Sequence, residues 1–178
     1  MRRLRILRAL TLVAALTPVV SAAAGAPLVG RPAPDFVLPA AGGANERLSE
    51  HRGEVVALSF WSTRCSVCTP QLAALDELYA RYRSAGLVAL AVSVDDDPQR
   101  ARDYAHSHPL RYPLLIDPAK AVGRAYAVDL LPTLVLIDRS GTVRYVQADF
   151  RPNDTTYVAE VRRLLDDAVS ADSNPSVR

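Results

Sequence analysis

The chain has 178 residues, 49% of them hydrophobic and 22% charged, which fits one globular domain with a core of useful size and excludes a disordered, fibrous or multi-pass membrane chain. The formal charge of +2 rests on four arginines at the start, Arg2, Arg3, Arg5 and Arg8; without them the remainder carries −2. A body so close to neutral offers no electrostatic footprint for nucleic acid.

Residues 1–26 have the form of an export signal: a basic start, the apolar run ALTLVAALTPVV, then Ala22-Ala23-Ala24 and Ala24-Gly25-Ala26 as cleavage sites. Left uncut, the same segment would be an N-terminal membrane anchor, although it is shorter than the roughly 20 residues of a comfortable span. The expected organisation is therefore a leader at 1–26, one domain at 27–169 and a flexible tail at 170–178.

The domain opens on a Pro- and Gly-rich lead-in, with a short edge strand at Phe36 to Leu38 and Leu48 anchoring a small turn. Val55 to Phe60 is an almost unbroken apolar run of strand length, the pattern of a strand covered on both faces. From about Cys65 to Arg83 the period changes, with Leu72, Leu75, Leu78 and Tyr82 at helical spacing and Gly86 ending the element. Leu87 to Val94 is a second buried strand. Asp95-Asp96-Asp97 then turns into a helix whose first residue is Pro98 and which runs to about His106. Tyr112 to Ile116 is a third strand, Ala119 to Tyr126 a short helix and Leu134 to Ile137 a fourth strand. Asp138-Arg139-Ser140-Gly141 makes a hairpin turn into Thr142 to Gln147, and Asn153 to Val169 is a final helix. Alternation of strands and helices followed by a hairpin predicts an α/β layered domain with a mixed sheet.

The two cysteines, Cys65 and Cys68, stand where a buried strand hands over to a helix. There the free N–H groups and the helix field favour a thiolate at Cys65, and the two-residue spacing lets Cys68 resolve a mixed disulfide formed by it. Two other readings stand beside this one. A structural disulfide would close a loop too short to remove much unfolded-state entropy. A metal site would need two further ligands, and His51, His106 and His108 form no ligand-like repeat. Leu131-Pro132-Thr133 is the other feature singled out, a proline immediately ahead of an apolar strand. A cis Leu131-Pro132 bond is physically plausible there, though sequence alone does not decide it.

Phe60-Trp61-Ser62-Thr63-Arg64-Cys65-Ser66-Val67-Cys68, with Leu131-Pro132-Thr133 and the Asp138 to Gly141 hairpin downstream, resembles the thioredoxin superfamily. Within it the chain is similar to the exported TlpA/ResA-like thiol-disulfide oxidoreductases from about Ala33 to Leu165. The opening Ala33-Pro34-Asp35-Phe36, the extra segment Asp97 to Ile116 and Ala125-Tyr126-Ala127-Val128 support the same resemblance. It implies a thioredoxin-like three-layer sandwich with a central mixed sheet and an extra strand-helix insertion. It also implies Cys65 as attacking thiol, Cys68 as resolver and Pro132 as the cis-proline beside them. Leu131 and Thr133 would flank the groove for a partner polypeptide, with Trp61 and Arg64 supporting the site. Asp96 matches the acidic residue that assists proton transfer from the buried thiol.

Three departures qualify the match. Arg64 replaces a second tryptophan, putting a cation beside Cys65 that would favour the thiolate and acidic partners. Ser59 stands where a buried aspartate is usual, and Ser66-Val67 replaces the more common proline-containing pairs. The implied function is disulfide exchange on exported protein clients, in the reducing direction, with cytochrome c maturation as one setting. A redox-active Cys65-Cys68 disulfide would serve in place of any cofactor or metal, and a membrane or periplasmic protein would supply electrons. The expected location is periplasmic or otherwise extracytoplasmic. The competing activities are a peroxiredoxin-like thiol peroxidase, which normally has threonine where Ser62 stands, and a non-catalytic peptide-binding module.

Overall fold

A computed structural model describes residues 28–148 and 155–172. The leader at 1–26, Asn153 and the last residues of the expected tail lie outside them.

Five strands form the central sheet: β3 (Val55–Trp61), β4 (Leu87–Ser93), β5 (Leu114–Ile116), β6 (Thr133–Ile137) and β7 (Val143–Ala148). Ahead of them, β1 (Val37–Pro39) and β2 (Asn45–Arg47) make a separate antiparallel ribbon. The sheet order is β5-β4-β3-β6-β7. β3, β4 and β5 run parallel, β6 antiparallel to β3, and β7 antiparallel to β6.

Strict alternation along the strands separates two cores. Val55, Ala57 and Trp61 of β3, Ala89 and Ala91 of β4, and Leu134 and Leu136 of β6 face one side. That side receives Leu72, Leu75 and Leu78 of α1 (Cys68–Tyr82), Tyr104 of α2 (Pro98–Ser107) and Val161, Leu164 and Leu165 of α4 (Thr156–Asp172). Small residues at the sheet centre and large ones on the helices interdigitate to fill this layer. Val56, Leu58, Phe60, Leu90, Val92, Val135 and Ile137 face the other side, against Phe36, Leu38, Leu48 and residues Val122 and Tyr126 in and beside α3 (Ala121–Ala125). The result is a thioredoxin-like α/β sandwich in which α2 and β5 are the extra helix and strand.

Most expected elements are present, with four corrections of boundary. The helix expected from Cys65 opens at Cys68, because residues 62–68 make two successive tight turns, Cys65 N–H to Ser62 O and Cys68 N–H to Cys65 O, each 3.1 Å. The strand expected at Phe36 to Leu38 lies one residue later and has a partner, β2, whose polar Asn-Glu-Arg sequence carries no apolar alternation. The strand expected from Tyr112 begins at Leu114, since the Tyr112 hydroxyl instead donates to Leu72 O of α1 at 2.9 Å. α4 continues to Asp172, into the stretch expected as tail.

Two local devices fix element ends, one beside the site and one at the opposite edge of the sheet. Asp97 caps α2, accepting the Gln99 N–H at 2.9 Å, and Pro98 starts the helix with φ already set. Gly141 closes the β6–β7 turn at φ +82, and a side chain there would collide with the Arg52 guanidinium.

Candidate active site

β3 is parallel to β4 but antiparallel to β6, so the end of β3, the end of β4 and the start of β6 meet at one edge of the sheet. The register makes this explicit: Trp61 lies opposite Ser93, and Phe60 opposite Thr133. The three loops leaving this edge carry Cys65, Asp95 and Pro132. Ligand sites of open α/β sheets form at such an edge.

Cys65 and Cys68 are joined in a disulfide. Cys65 is partly exposed in the turn before α1, whereas Cys68, the first residue of α1, is wholly buried. An incoming sulfur therefore meets Cys65 first. Cys65 and Leu131 both lie against the core cluster that contains Cys68.

The Leu131-Pro132 bond is cis, Pro132 is buried, and the Thr133 hydroxyl donates to Leu130 O at 2.7 Å, tying down the loop. Leu131 is half-buried and borders a cavity of ≈ 360 Å³, with Val94, Val128, Lys120 and Arg124 also in its lining. Trp61 is buried, with its ring centroid 4.7 Å from that of Tyr104, and Tyr104 stacks on His108 at 4.2 Å. This ring column binds the α2 insertion to the strand that leads into the cysteine loop. The Arg64 side chain is exposed beside Cys65, while its backbone N–H donates to Ser62 Oγ at 3.2 Å.

The acidic pair is arranged differently from the sequence expectation. Asp96 is exposed and forms an ion pair with Lys120 at 2.6 Å; that bond and charge, with a smaller contribution from Arg64, hold its carboxyl below the usual range. It hydrogen-bonds to neither cysteine among the described residues. Asp95 turns inward instead. Its carboxylate accepts the Ser62 hydroxyl at 2.7 Å, the Thr63 N–H at 2.9 Å, the Thr63 hydroxyl at 2.8 Å and the Ser93 hydroxyl at 2.9 Å. Burial raises the Asp95 pKa, but these bonds outweigh it and leave the carboxyl below its ordinary value. In the acidic run Asp95 is indistinguishable by type from its neighbours; the only signal is its place two residues after the inward-facing Ser93.

A second buried polar contact lies under α1, where the Ser59 hydroxyl donates to Gln71 Oε1 at 2.8 Å. Gln71 stands one helical turn after Cys68. This is a neutral pair, so no ionised base lies at that point of the core. No cluster of metal-ligating side chains is present among the described residues. The arrangement offers a dithiol/disulfide couple with one accessible and one shielded sulfur, set beside an apolar loop that a polypeptide can line.

Comparison with known proteins agrees with this geometry. Residues 29–146 match the AhpC/TSA family. The thiol-disulfide oxidoreductase ResA of Geobacillus kaustophilus is 40% identical over 118 residues, 66% of this chain and 68% of the relative. ResA of Bacillus subtilis is 32% identical over 114 residues, 64% of each chain. Among solved structures, a Chlorobium tepidum protein assigned as a thiol:disulfide interchange protein DsbE superposes with TM-score 0.73 at 31% identity. It covers 79% of this chain and 99% of that one. The exposed lipoprotein thioredoxin Etrx1 of Streptococcus pneumoniae gives TM-score 0.67 at 25% identity, covering 74% of this chain and 100% of that one.

Proposed function

The chain belongs to the ResA/DsbE-like thiol-disulfide oxidoreductases of the thioredoxin superfamily, and from that membership we propose that it reduces disulfides in exported protein clients, with Cys65 as the attacking thiol and Cys68 as the resolver. The observation that carries the assignment of roles is the asymmetry of the pair, Cys65 reachable and Cys68 sealed at the first residue of α1.

In the reduced protein the Cys65 thiolate attacks one sulfur of the client disulfide. A Cys65–client bond forms, the client S–S bond breaks, and the departing client sulfur leaves as a thiolate. Cys68 passes its proton to the departed client thiolate and attacks Cys65, which releases the second client thiolate and closes the Cys65–Cys68 disulfide. The client gains two electrons and the protein loses two. A donor dithiol, from a membrane or periplasmic partner, restores the reduced pair. The helix N-terminus next to the pair and the Arg64 cation favour the thiolate form of Cys65.

Leu131 and Thr133, on the loop carrying the cis bond, would border the client backbone, and Pro132 would pack beside the sulfurs. The leader at 1–26 supports delivery to an extracytoplasmic compartment, by a cut signal or an uncut anchor; among the described residues no helix is long and apolar enough to cross a membrane. Exported cysteines that must be kept reduced, as in cytochrome c maturation, are the client class this location suggests. For peroxide chemistry the Ser62 hydroxyl would have to serve the attacking sulfur, and here it is committed to Asp95.

The test is the equilibrium potential of the Cys65-Cys68 pair in thiol buffers, combined with trapping of clients on Cys68→Ser. A potential below about −250 mV with covalent client adducts on Cys65 supports a reductant. A potential near about −120 mV reverses the direction, and a pair that never exchanges removes the reading altogether.

A further inference from the structure

Two buried carboxylates lie at the active edge of the sheet among the described residues: Asp117 accepts the N–H groups that open α3, whereas Asp95 serves the cysteine loop and is left unused by the exchange chemistry. Its four bonding partners fall on two elements. Ser93 belongs to β4, and both its hydroxyl-to-carboxylate bond at 2.9 Å and the return bond from Asp95 N–H to Ser93 Oγ at 3.2 Å fix the carboxylate to the sheet. Ser62 and Thr63 belong to the turn that leads into Cys65, and they give the carboxylate three donors, two hydroxyls and a backbone N–H.

The connection continues to the sulfur-bearing residue. Ser62 Oγ, while donating to Asp95, accepts the Arg64 N–H at 3.2 Å, and Ser62 O accepts the Cys65 N–H at 3.1 Å. From the sheet to the Cys65 backbone there is thus an unbroken series of hydrogen bonds, with one carboxylate at its centre. On the other side of the same segment, Val94 N–H donates to Trp61 O at 3.0 Å. A loop of this kind, left to itself, samples many conformations, and exchange demands near-linear approach of three sulfurs, so fixing it lowers the entropy lost on reaching that geometry.

We propose that Asp95 is a positioning residue for thiol-disulfide exchange, holding the Ser62–Arg64 turn so that Cys65 presents its sulfur in attacking geometry. This rests on the reading of Cys65 as the attacking thiol. Asp95 touches neither sulfur; it acts through Ser62 and Thr63. Asparagine is a poor substitute, because its amide nitrogen would face hydrogen-bond donors where a carboxylate oxygen accepted them.

The experiment uses Cys68→Ser, in which Cys65 is the single thiol, and follows its reaction with dithiodipyridine. The Cys65 thiolate attacks one sulfur of the reagent, a Cys65–pyridyl disulfide forms, and the other pyridinethiolate departs and is read by absorbance. Rates across a pH series give the limiting rate of the thiolate and its titration midpoint separately. Asp95→Asn, Ser62→Ala and Thr63→Val are each introduced. The last two remove donors from the turn while leaving the Asp95 charge in place, and they carry the test should Asp95→Asn fail to fold.

The expected result is a fall of about tenfold or more in the limiting thiolate rate for Asp95→Asn, with a smaller fall in the same direction for Ser62→Ala and Thr63→Val. A role in stability alone would lower the unfolding midpoint and leave the limiting rate unchanged; limiting rates within about twofold of the parent in the folded variants overturn the proposal. Absence of reaction in the parent itself removes the premise about Cys65 and the proposal with it, so the two failures are told apart by the parent trace.

Discussion

The Ser59 hydroxyl and Gln71 Oε1, 2.8 Å apart, join β3 to α1 through the middle of an otherwise apolar layer. Both residues are buried, Ser59 completely. Removing one partner strands the other. Ser59→Ala should therefore destabilise the oxidised protein by about 1–3 kcal/mol, the cost of a buried carbonyl left without a donor. The double variant Ser59→Ala/Gln71→Leu removes both polar groups and should recover most of that loss. Urea unfolding of the four proteins forms a double-mutant cycle, and additive effects would show that the bond contributes nothing.

Acid should loosen the edge of the sheet that carries the cysteine loop, through Asp95. Burial raises its pKa, the hydrogen bonds from Thr63, Ser62 and Ser93 together lower it by more, and the folded value lies below the ordinary one. A carboxyl depressed in the folded state contributes stability that is fully present above the unfolded pKa of about 3.9 and is lost as pH falls through the folded value. Stability should thus be flat in this contribution above about pH 5 and fall below about pH 4. Asp95→Asn should start from a lower plateau and show a shallower acid slope. An identical slope in the two proteins would mean that the acid sensitivity comes from elsewhere, Asp35, Asp96 and Asp138 being the other depressed carboxyls among the described residues.

Sequence pattern made the layers legible because burial on both faces leaves nearly continuous apolar runs, as in Val55–Trp61, broken only by Ser59, and because Leu72, Leu75 and Leu78 repeat at helical spacing. Pro98 behind an acidic residue likewise located the start of α2. What stayed hidden depends on direction in space. Three successive aspartates are equal in sequence, yet Asp95 turns into the sheet edge, Asp96 goes out to Lys120 and Asp97 caps a helix. The polar strand β2 was invisible because its pairing is made by backbone alone. The helix starts at Cys68 rather than Cys65 because the preceding residues spend their N–H groups on Asp95, Ser62 and one another, and the bond to Asp95 joins two segments 32 residues apart, which local spacing does not encode.

The Asp97 cap is a test confined to the inserted helix. Asp97→Ala removes the acceptor for Gln99 N–H and should cost about 1 kcal/mol, with Asp97→Asn or Asp97→Ser retaining most of the stability. Thermal unfolding of the series would check this. Because Trp61 rests on Tyr104 of the same helix, the tryptophan emission of Asp97→Ala should also shift if fraying reaches the ring column. A lowered midpoint with unchanged emission would confine the damage to the first turn.

Asp96 lies close enough to Arg64 for the guanidinium to lower its pKa, and it is bonded to Lys120 on the other side. Its carboxylate therefore offsets two cations, one of them on the residue before Cys65. Two roles for it make opposite predictions. If Asp96 passes a proton during resolution, Asp96→Asn slows turnover on every client, at every ionic strength. If it acts as a counter-charge, the same variant leaves Arg64 and Lys120 less compensated, and exchange with acidic peptide disulfides becomes faster at low salt. The exposed geometry favours the second, with an expected gain of about two- to threefold at low ionic strength that vanishes by about 0.5 M salt, where screening shortens the reach of surface charges to a few ångströms. Arg64→Gln should do the reverse with the same salt dependence. Stopped-flow exchange rates on matched acidic and basic peptides, at low and high salt, separate the two: a salt-independent slowing in Asp96→Asn would assign the carboxylate to proton transfer.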